Sequence, residues 1–183
     1  TEYYSFIYNL HEGANLISFP YIPENNSVEF IFDIIKYEID GIIGEGIASQ
    51  YNEDLEMWVG NLEEIFYSNG YWVKMDLDLG EINFNVLGFP STENIIYNLN
   101  EGYNLVSYIG EDNLSIEDAI PNEFDGYIIN IIGEGMASTY NENVWVGNLN
   151  TLSFGNGYWI EADSAITFHW QPLENNFIIK KSY

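Results

Sequence analysis

Two imidazoles and 29 carboxylates are the side chains best equipped for acid–base chemistry in this 183-residue chain, and cysteine is absent. A Ser-His-Asp triad would have to use His11 or His169, and no Ser stands in the Gly-x-Ser-x-Gly elbow that exposes a nucleophile. A glycosidase needs two carboxyl groups about 5 to 10 Å apart, a separation that sequence spacing does not give. Glu45 and Glu134 are the candidates for such a pair, because each lies inside an apolar-glycine block, Ile-Ile-Gly-Glu-Gly. A Glu between two glycines is also a common tight-turn residue. Gly44-Glu45-Gly46-Ile47-Ala48-Ser49 imitates the start of a dinucleotide fingerprint. However, Ser49 replaces the third Gly, no helical pattern follows, and Glu45 would repel a pyrophosphate. A hairpin turn fits better.

Asp76 and Asp78 place acids at alternating positions, and Glu161 and Asp163 repeat that spacing later. Oxygen-rich loops suit calcium. The distal Glu and remaining ligands of an EF-hand are missing, so the alternative is the polar edge of a strand. No other cofactor is expected. The absence of cysteine excludes disulfides, thiolate metal sites and thiol nucleophiles.

The elements that hold these residues follow from composition and repetition. The chain is 46% hydrophobic and 17% aromatic, enough for a folded core despite a formal charge of -25. All four basic residues are Lys. Such a chain repels nucleic acid and anionic membranes, and it has no apolar run of about 18 residues that would insert into a bilayer. It opens Thr1-Glu2-Tyr3, without an initiator Met or a basic-then-apolar leader, so a processed product or a piece of a longer chain is expected.

The dominant pattern is internal duplication. Tyr8-Asn9-Leu10-His11-Glu12-Gly13-Ala14-Asn15-Leu16-Ile17-Ser18 returns, 89 residues on, as Tyr97-Asn98-Leu99-Asn100-Glu101-Gly102-Tyr103-Asn104-Leu105-Val106-Ser107. Ile42-Ile43-Gly44-Glu45-Gly46 returns at the same offset. Trp58-Val59-Gly60-Asn61-Leu62 and Asn69-Gly70-Tyr71-Trp72 return at an offset of 87, as Trp145-Val146-Gly147-Asn148-Leu149 and Asn156-Gly157-Tyr158-Trp159. The two missing residues fall in the polar stretch 52–56, where a hairpin loop absorbs them. His11 aligns with Asn100 and His169 with Asn85, so neither imidazole belongs to a duplicated site.

The expected architecture is mostly β (α+β): two tandem copies of a small antiparallel β-sheet unit, each with one short helix. Copy one spans residues 1–88, copy two 89–172, and a C-terminal strand 173–183. Ser27 and Ser115 read as helix N-caps, with Val28, Ile31, Phe32 and Ile35 at helical spacing after the first. Ile82 to Val86 and Ile166 to Trp170 alternate as strands with one buried face. Units this small are expected to share an apolar interface. Phe177, Ile178 and Ile179 either open a third copy, like Phe6-Ile7-Tyr8, or close the second by pairing back on it.

Four tryptophans are duplicated. Alternation puts Trp72 beside Lys74, and Trp159 beside Glu161, on the more polar side of their strands. There they would stack on a sugar or anchor a partner, unless they cover the join between copies or pack under the helix. Trp58 and Trp145 read as more structural. Asn25-Asn26-Ser27 and Asn113-Leu114-Ser115 are glycosylation sequons expected by chance in so Asn-rich a chain.

The order Gly13-Ala14-Asn15-Leu16-Ile17-Ser18, Trp58-Val59-Gly60-Asn61-Leu62, Gly70-Tyr71-Trp72-Val73 resembles the Gly-Trp-Asn-Leu-Ile-Ser repeat modules of secreted and surface bacterial proteins and of marine phage virion proteins. Ala14 and Tyr103 depart from the family's first Trp. The resemblance implies a non-catalytic accessory module, extracellular, on a cell surface or in a virion, and it assigns no functional residue. The expected function is therefore a structural or interaction module of a larger assembly. Its partners would be itself or neighbouring structural proteins, and an unpaired terminal strand, Tyr3 to Tyr8 or Phe177 to Lys180, would join them. The alternative is a carbohydrate-binding or adhesion module built on the duplicated Trp residues.

Overall fold

The computed structural model describes residues 2–76 and 80–171. It is mostly β, with antiparallel sheets. The first half of the chain forms β1 (Tyr4–Leu10), β2 (Gly13–Ser18) and β3 (Tyr21–Ile22), then helix α1 (Val28–Phe32), which runs into a 3-10 turn at Asp33–Ile35. Then come β4 (Ile39–Ile43), β5 (Ala48–Asn52), β6 (Met57–Gly60), β7 (Gly70–Met75) and β8 (Ile82–Pro90). The second half forms β9 (Tyr97–Leu99), β10 (Gly102–Tyr108), β11 (Leu114–Ser115), α2 (Ile116–Ala119), a 3-10 turn at Asn122–Phe124, and β12 (Ile128–Ile132). It continues with β13 (Ala137–Asn141), β14 (Val144–Gly147), β15 (Thr151–Leu152), β16 (Asn156–Ala162) and β17 (Ile166–Phe168).

A ten-stranded sheet draws on both halves. Its order is β14-β13-β12-β16-β2-β7-β4-β5-β6, with β10 paired to β16. Corresponding residues hold corresponding registers: Ile42 faces Ser49 as Ile131 faces Ser138, and Tyr51 faces Trp58 as Tyr140 faces Trp145. The β5–β6 loop has four residues, Glu53 to Glu56, and the β13–β14 loop has two, Glu142 and Asn143. That is where the offset changes from 89 to 87.

Both helix starts are capped from the side chain. Ser27 Oγ accepts from Phe30 N at 3.2 Å, and Ser115 Oγ from Asp118 N at 3.1 Å. Buried apolar residues form two clusters. One runs from Tyr8 to Val86 and centres on Phe19, Phe32, Tyr71 and Phe84; the other runs from Tyr97 to Trp170 and centres on Tyr108, Tyr158 and Phe168. Each is closed by strands outside the large sheet. In the first half β1 pairs with β8 over seven residues, Tyr4 against Gly88 through Leu10 against Ile82. This corrects the expectation of an unpaired N-terminal strand at Tyr3 to Tyr8. Phe6, Tyr8 and Leu10 share one face of β1 and pack with β8's Phe84 and Val86, while Ile7 and Asn9 face outward, and this one-sided burial makes intramolecular pairing favourable. The other proposed assembly residues, Phe177, Ile178 and Ile179, lie outside the described residues.

Candidate functional site

The two halves meet where the ends of β2 and β10 run beside the starts of β16 and β7. Ile17 pairs with Asn156, and Val106 with Asn69. Ser18 N donates to Gly155 O at 2.7 Å, and Ser107 N donates to Ser68 O at 3.1 Å. Gly70 and Gly157 sit at this crossing. A Cβ on Gly157 would lie 2.8 Å from Ile17 O and 3.1 Å from Gly70 Cα, and one on Gly70 would lie 2.8 Å from Val106 O. Only a residue without a side chain lets the backbones approach this closely.

Glu45 and Glu134 complete the seam. One residue before these paired positions, the Leu16 and Leu105 N–H groups meet side-chain carboxylates of the other half. Glu45, in the β4–β5 turn of the first half, accepts from Leu105 N of the second half at 2.7 Å. Glu134, in the β12–β13 turn, accepts from Leu16 N of the first half at 2.9 Å. Each carboxylate stands in for the carbonyl of an absent neighbouring strand, as a charge-assisted acceptor. Leu16 and Leu105, both buried, pack over Gly157 and Gly70 beside them. The seam is therefore built from backbone, glycine, leucine and two crossing carboxylates, with an aromatic contact at one side, where Phe6 and Tyr21 of the first half pack on Phe154 of the second.

Glu134 also pairs with His11 Nε2, and His11 Nδ1 faces the carbonyl of Glu12 at 2.7 Å. The Glu12 carbonyl, and then the Glu134 carboxylate, raise the His11 pKa above its ordinary value of 6.5. A raised imidazole pKa stabilises the fold while the ring is protonated. That contribution is complete below about pH 6.5 and is lost as pH rises through the raised value. Wild type should therefore lose more of its urea midpoint between about pH 6 and pH 8.5 than His11→Asn does. Equal losses in the two proteins would remove the ring from the seam's energetics. His169 makes a separate pair, with Glu123 at 3.1 Å, and its ring lies edge-on to Phe124.

Most other duplicated residues also bond to backbone. The Asn15 and Asn104 side chains bridge the turns before β2 and β10, accepting from His11 N and Asn100 N and donating back to the same residues' carbonyls. Asn61 and Asn148 each accept from an alanine N, Ala48 and Ala137, at 2.9 Å. Ser49 and Ser138 donate to Leu62 O and Leu149 O. Tyr71 and Tyr158 hydroxyls accept from Phe66 N and Ser153 N. Trp58 and Trp145 pack against the two apolar clusters. Trp72 and Trp159 are half-buried on the outer face, Trp72 between Leu16 and Ile43 and Trp159 between Leu105 and Ile132.

The acids considered for calcium are dispersed in their roles. Glu161 receives Asn130 Nδ2 and the Tyr103 hydroxyl, and Asp163 Oδ1 accepts from Ser164 Oγ at 2.8 Å. Asp78 lies outside the described residues, among which no three His, Asp or Glu side chains gather in a way that could hold a metal ion.

The outer face of the sheet differs between halves. In the second half, Tyr103, Glu161, Asn130, Thr139 and Val146 stand side by side across five strands, and Thr139 Oγ1 donates to Asn130 Oδ1. The matching row of the first half is Ala14, Lys74, Gly41, Gln50 and Val59. Ala14 keeps only a methyl group where Tyr103 has a ring, and Gly41 has no side chain where Asn130 has an amide. A broad, shallow groove of about 630 Å³ opens there, lined by Asp40, Gly41, Ile43, Gln50, Val59 and Lys74 among others. Lys74 Nζ and Asp40 Oδ2 form an ion pair at 2.8 Å, both about half exposed. Sequence reading missed this groove, because its signal is the exchange of Asn130 for Gly41 and Tyr103 for Ala14 between aligned sequence segments. Comparison with protein-family models, with curated proteins and with solved structures finds no match.

Proposed function

We propose that this chain is a non-catalytic structural module of a larger extracellular or virion-borne assembly, such as a surface fibre, array or phage particle. In this reading it is two tandem copies of one small antiparallel unit, residues 1–88 and 89–172, each with a short helix. The matched registers and the paired roles of duplicated residues support the two copies.

The observation that carries the assembly reading is the state of the sheet's two outer edges. They are β6, Met57-Trp58-Val59-Gly60, and β14, Val144-Trp145-Val146-Gly147. Neither strand carries a charge in a chain of net charge -25, and Val59, Val144 and Val146 are exposed. Glu142 and Asn143 both have positive φ, 49° and 65°, as a two-residue type I′ hairpin requires. The alternation that follows turns Val144 and Val146 backbone groups toward β13, and those of Trp145 and Gly147 outward. Unguarded edges of this kind recruit another strand, whereas solitary proteins protect them with Lys or Pro.

Val146→Lys places a charge on that edge without touching either core. Sedimentation of the native chain should show association that strengthens as salt screens the net charge. Val146→Lys guards one edge and should associate no further than a dimer through β6, whereas Val59→Lys/Val146→Lys should remain monomeric with an unchanged far-UV spectrum. A wild-type protein that stays monomeric at millimolar concentration in both low and high salt would overturn the proposal.

A further inference from the structure

We propose that the groove over Gly41 is a binding site for a neutral glycan, one site per chain, confined to the first half. This does not depend on assembly through the sheet edges.

The second half shows what that place on the sheet can hold. There a phenolic hydroxyl from Tyr103 and an amide from Asn130 converge on Glu161, and Thr139 completes the chain of hydrogen bonds. The first half keeps the backbone, the strand registers and the polar positions, but lacks both inserted side chains. What is missing over Gly41 is the hydrogen-bonding group that Asn130 supplies in the second half, and the hydroxyls of a sugar supply it.

The lining fits a sugar better than other ligands. The Asp40 carboxylate only accepts, the Lys74 ammonium only donates, and the Gln50 amide does both. Adjacent hydroxyls of a pyranose can accept from one group and donate to its neighbour without separating the ion pair. The Gly41 backbone, Ile43 and Val59 give an apolar floor for the ring's C–H face, and Trp72 stands across the strand pair from Ile43. The groove is open and shallow, which suits a polymer lying across a sheet. A polyanion is disfavoured by the chain's charge of -25. A wholly apolar partner would leave the Asp40–Lys74 pair desolvated without new hydrogen bonds.

The test uses the full chain and its own second half as the template for blocking. Affinity electrophoresis against a panel of soluble neutral polysaccharides (glucans, mannans, galactans and xylans), with polygalacturonate as the anionic control, should show retardation by at least one neutral polymer. Titration with the matching oligosaccharide should give one site per chain. The double variant Gly41→Asn/Lys74→Glu installs the residues found at Asn130 and Glu161 and breaks the pair with Asp40, and it should weaken binding about tenfold or more. Gln50→Thr, a milder change to an exposed side chain, should weaken it measurably with an unaltered urea midpoint. Tyr103→Ala should leave this site's affinity unchanged. The proposal is overturned if no neutral polymer retards the protein. Binding that survives both groove variants, or that is lost through Trp159→Ala instead, also overturns it. Retardation by polygalacturonate alone does the same.

Discussion

Gly157→Ala should destabilise the protein by about 3 kcal/mol, and Gly70→Ala by a similar amount, because overpacking against backbone finds no side chain that can move aside. The added methyl on Gly157 meets a carbonyl oxygen at 2.8 Å and a Cα at 3.1 Å. Relief requires the two halves to separate, and that breaks the Ser18–Gly155 and Ser107–Ser68 hydrogen bonds. In a domain of this size, about 3 kcal/mol lowers the melting temperature by roughly 6 to 12 °C. Gly46→Ala is the control. Gly46 has φ +71° with nothing within 4 Å of a new Cβ, so its replacement should cost only about 1 kcal/mol of conformational strain. If urea denaturation gives the two variants the same loss, close approach at the crossing is not what selects glycine there.

The second large effect belongs to the crossing carboxylates. Removing both acceptors, Glu45→Ala with Glu134→Ala, leaves Leu105 N and Leu16 N without their partners at a seam that buries both leucines. An amide left unpaired at a partly buried site costs about 1 to 2 kcal/mol, so the double variant should lose about 2 to 4 kcal/mol. Glu→Gln at both positions keeps an acceptor oxygen and should recover part of that. Hydrogen exchange supplies the residue-level readout: the Leu16 and Leu105 amides should lose protection in the alanine variants and keep most of it in the glutamine variants. Protection unchanged in the alanine variants would show that the strand edges are covered by something else.

Much of the scaffold was legible because it is local. Ser27 and Ser115 announce the helices, Gly44-Glu45-Gly46 announces a turn, and the alternation in Tyr71-Trp72-Val73-Lys74-Met75 names the buried face. The N-terminal strand was misjudged because pairing of Tyr4–Leu10 with Ile82–Pro90 joins segments about 80 residues apart, and alternation gives a face but not a partner. Glu45 and Glu134 stood out in the sequence as possible acids, yet what they bond to is main chain in the other half. A backbone N–H has no signature in any sequence. The groove was hidden for a related reason. Gly41 carries no side chain to draw attention, and its place shows only when Asn130 is found in the same register, beside Glu161.

The reciprocity of the seam has a topological consequence. Each half offers a carboxylate, a glycine and a strand end, and each requires the same three from its counterpart. Nothing in those contacts records whether the counterpart lies on the same polypeptide. The short connection at 91–96, between β8 and β9, keeps the two halves together at high effective concentration, and this favours closure within one chain. Two chains that refold in a crowd can satisfy every one of these contacts by exchanging halves, forming a swapped dimer with no interaction that the monomer lacks.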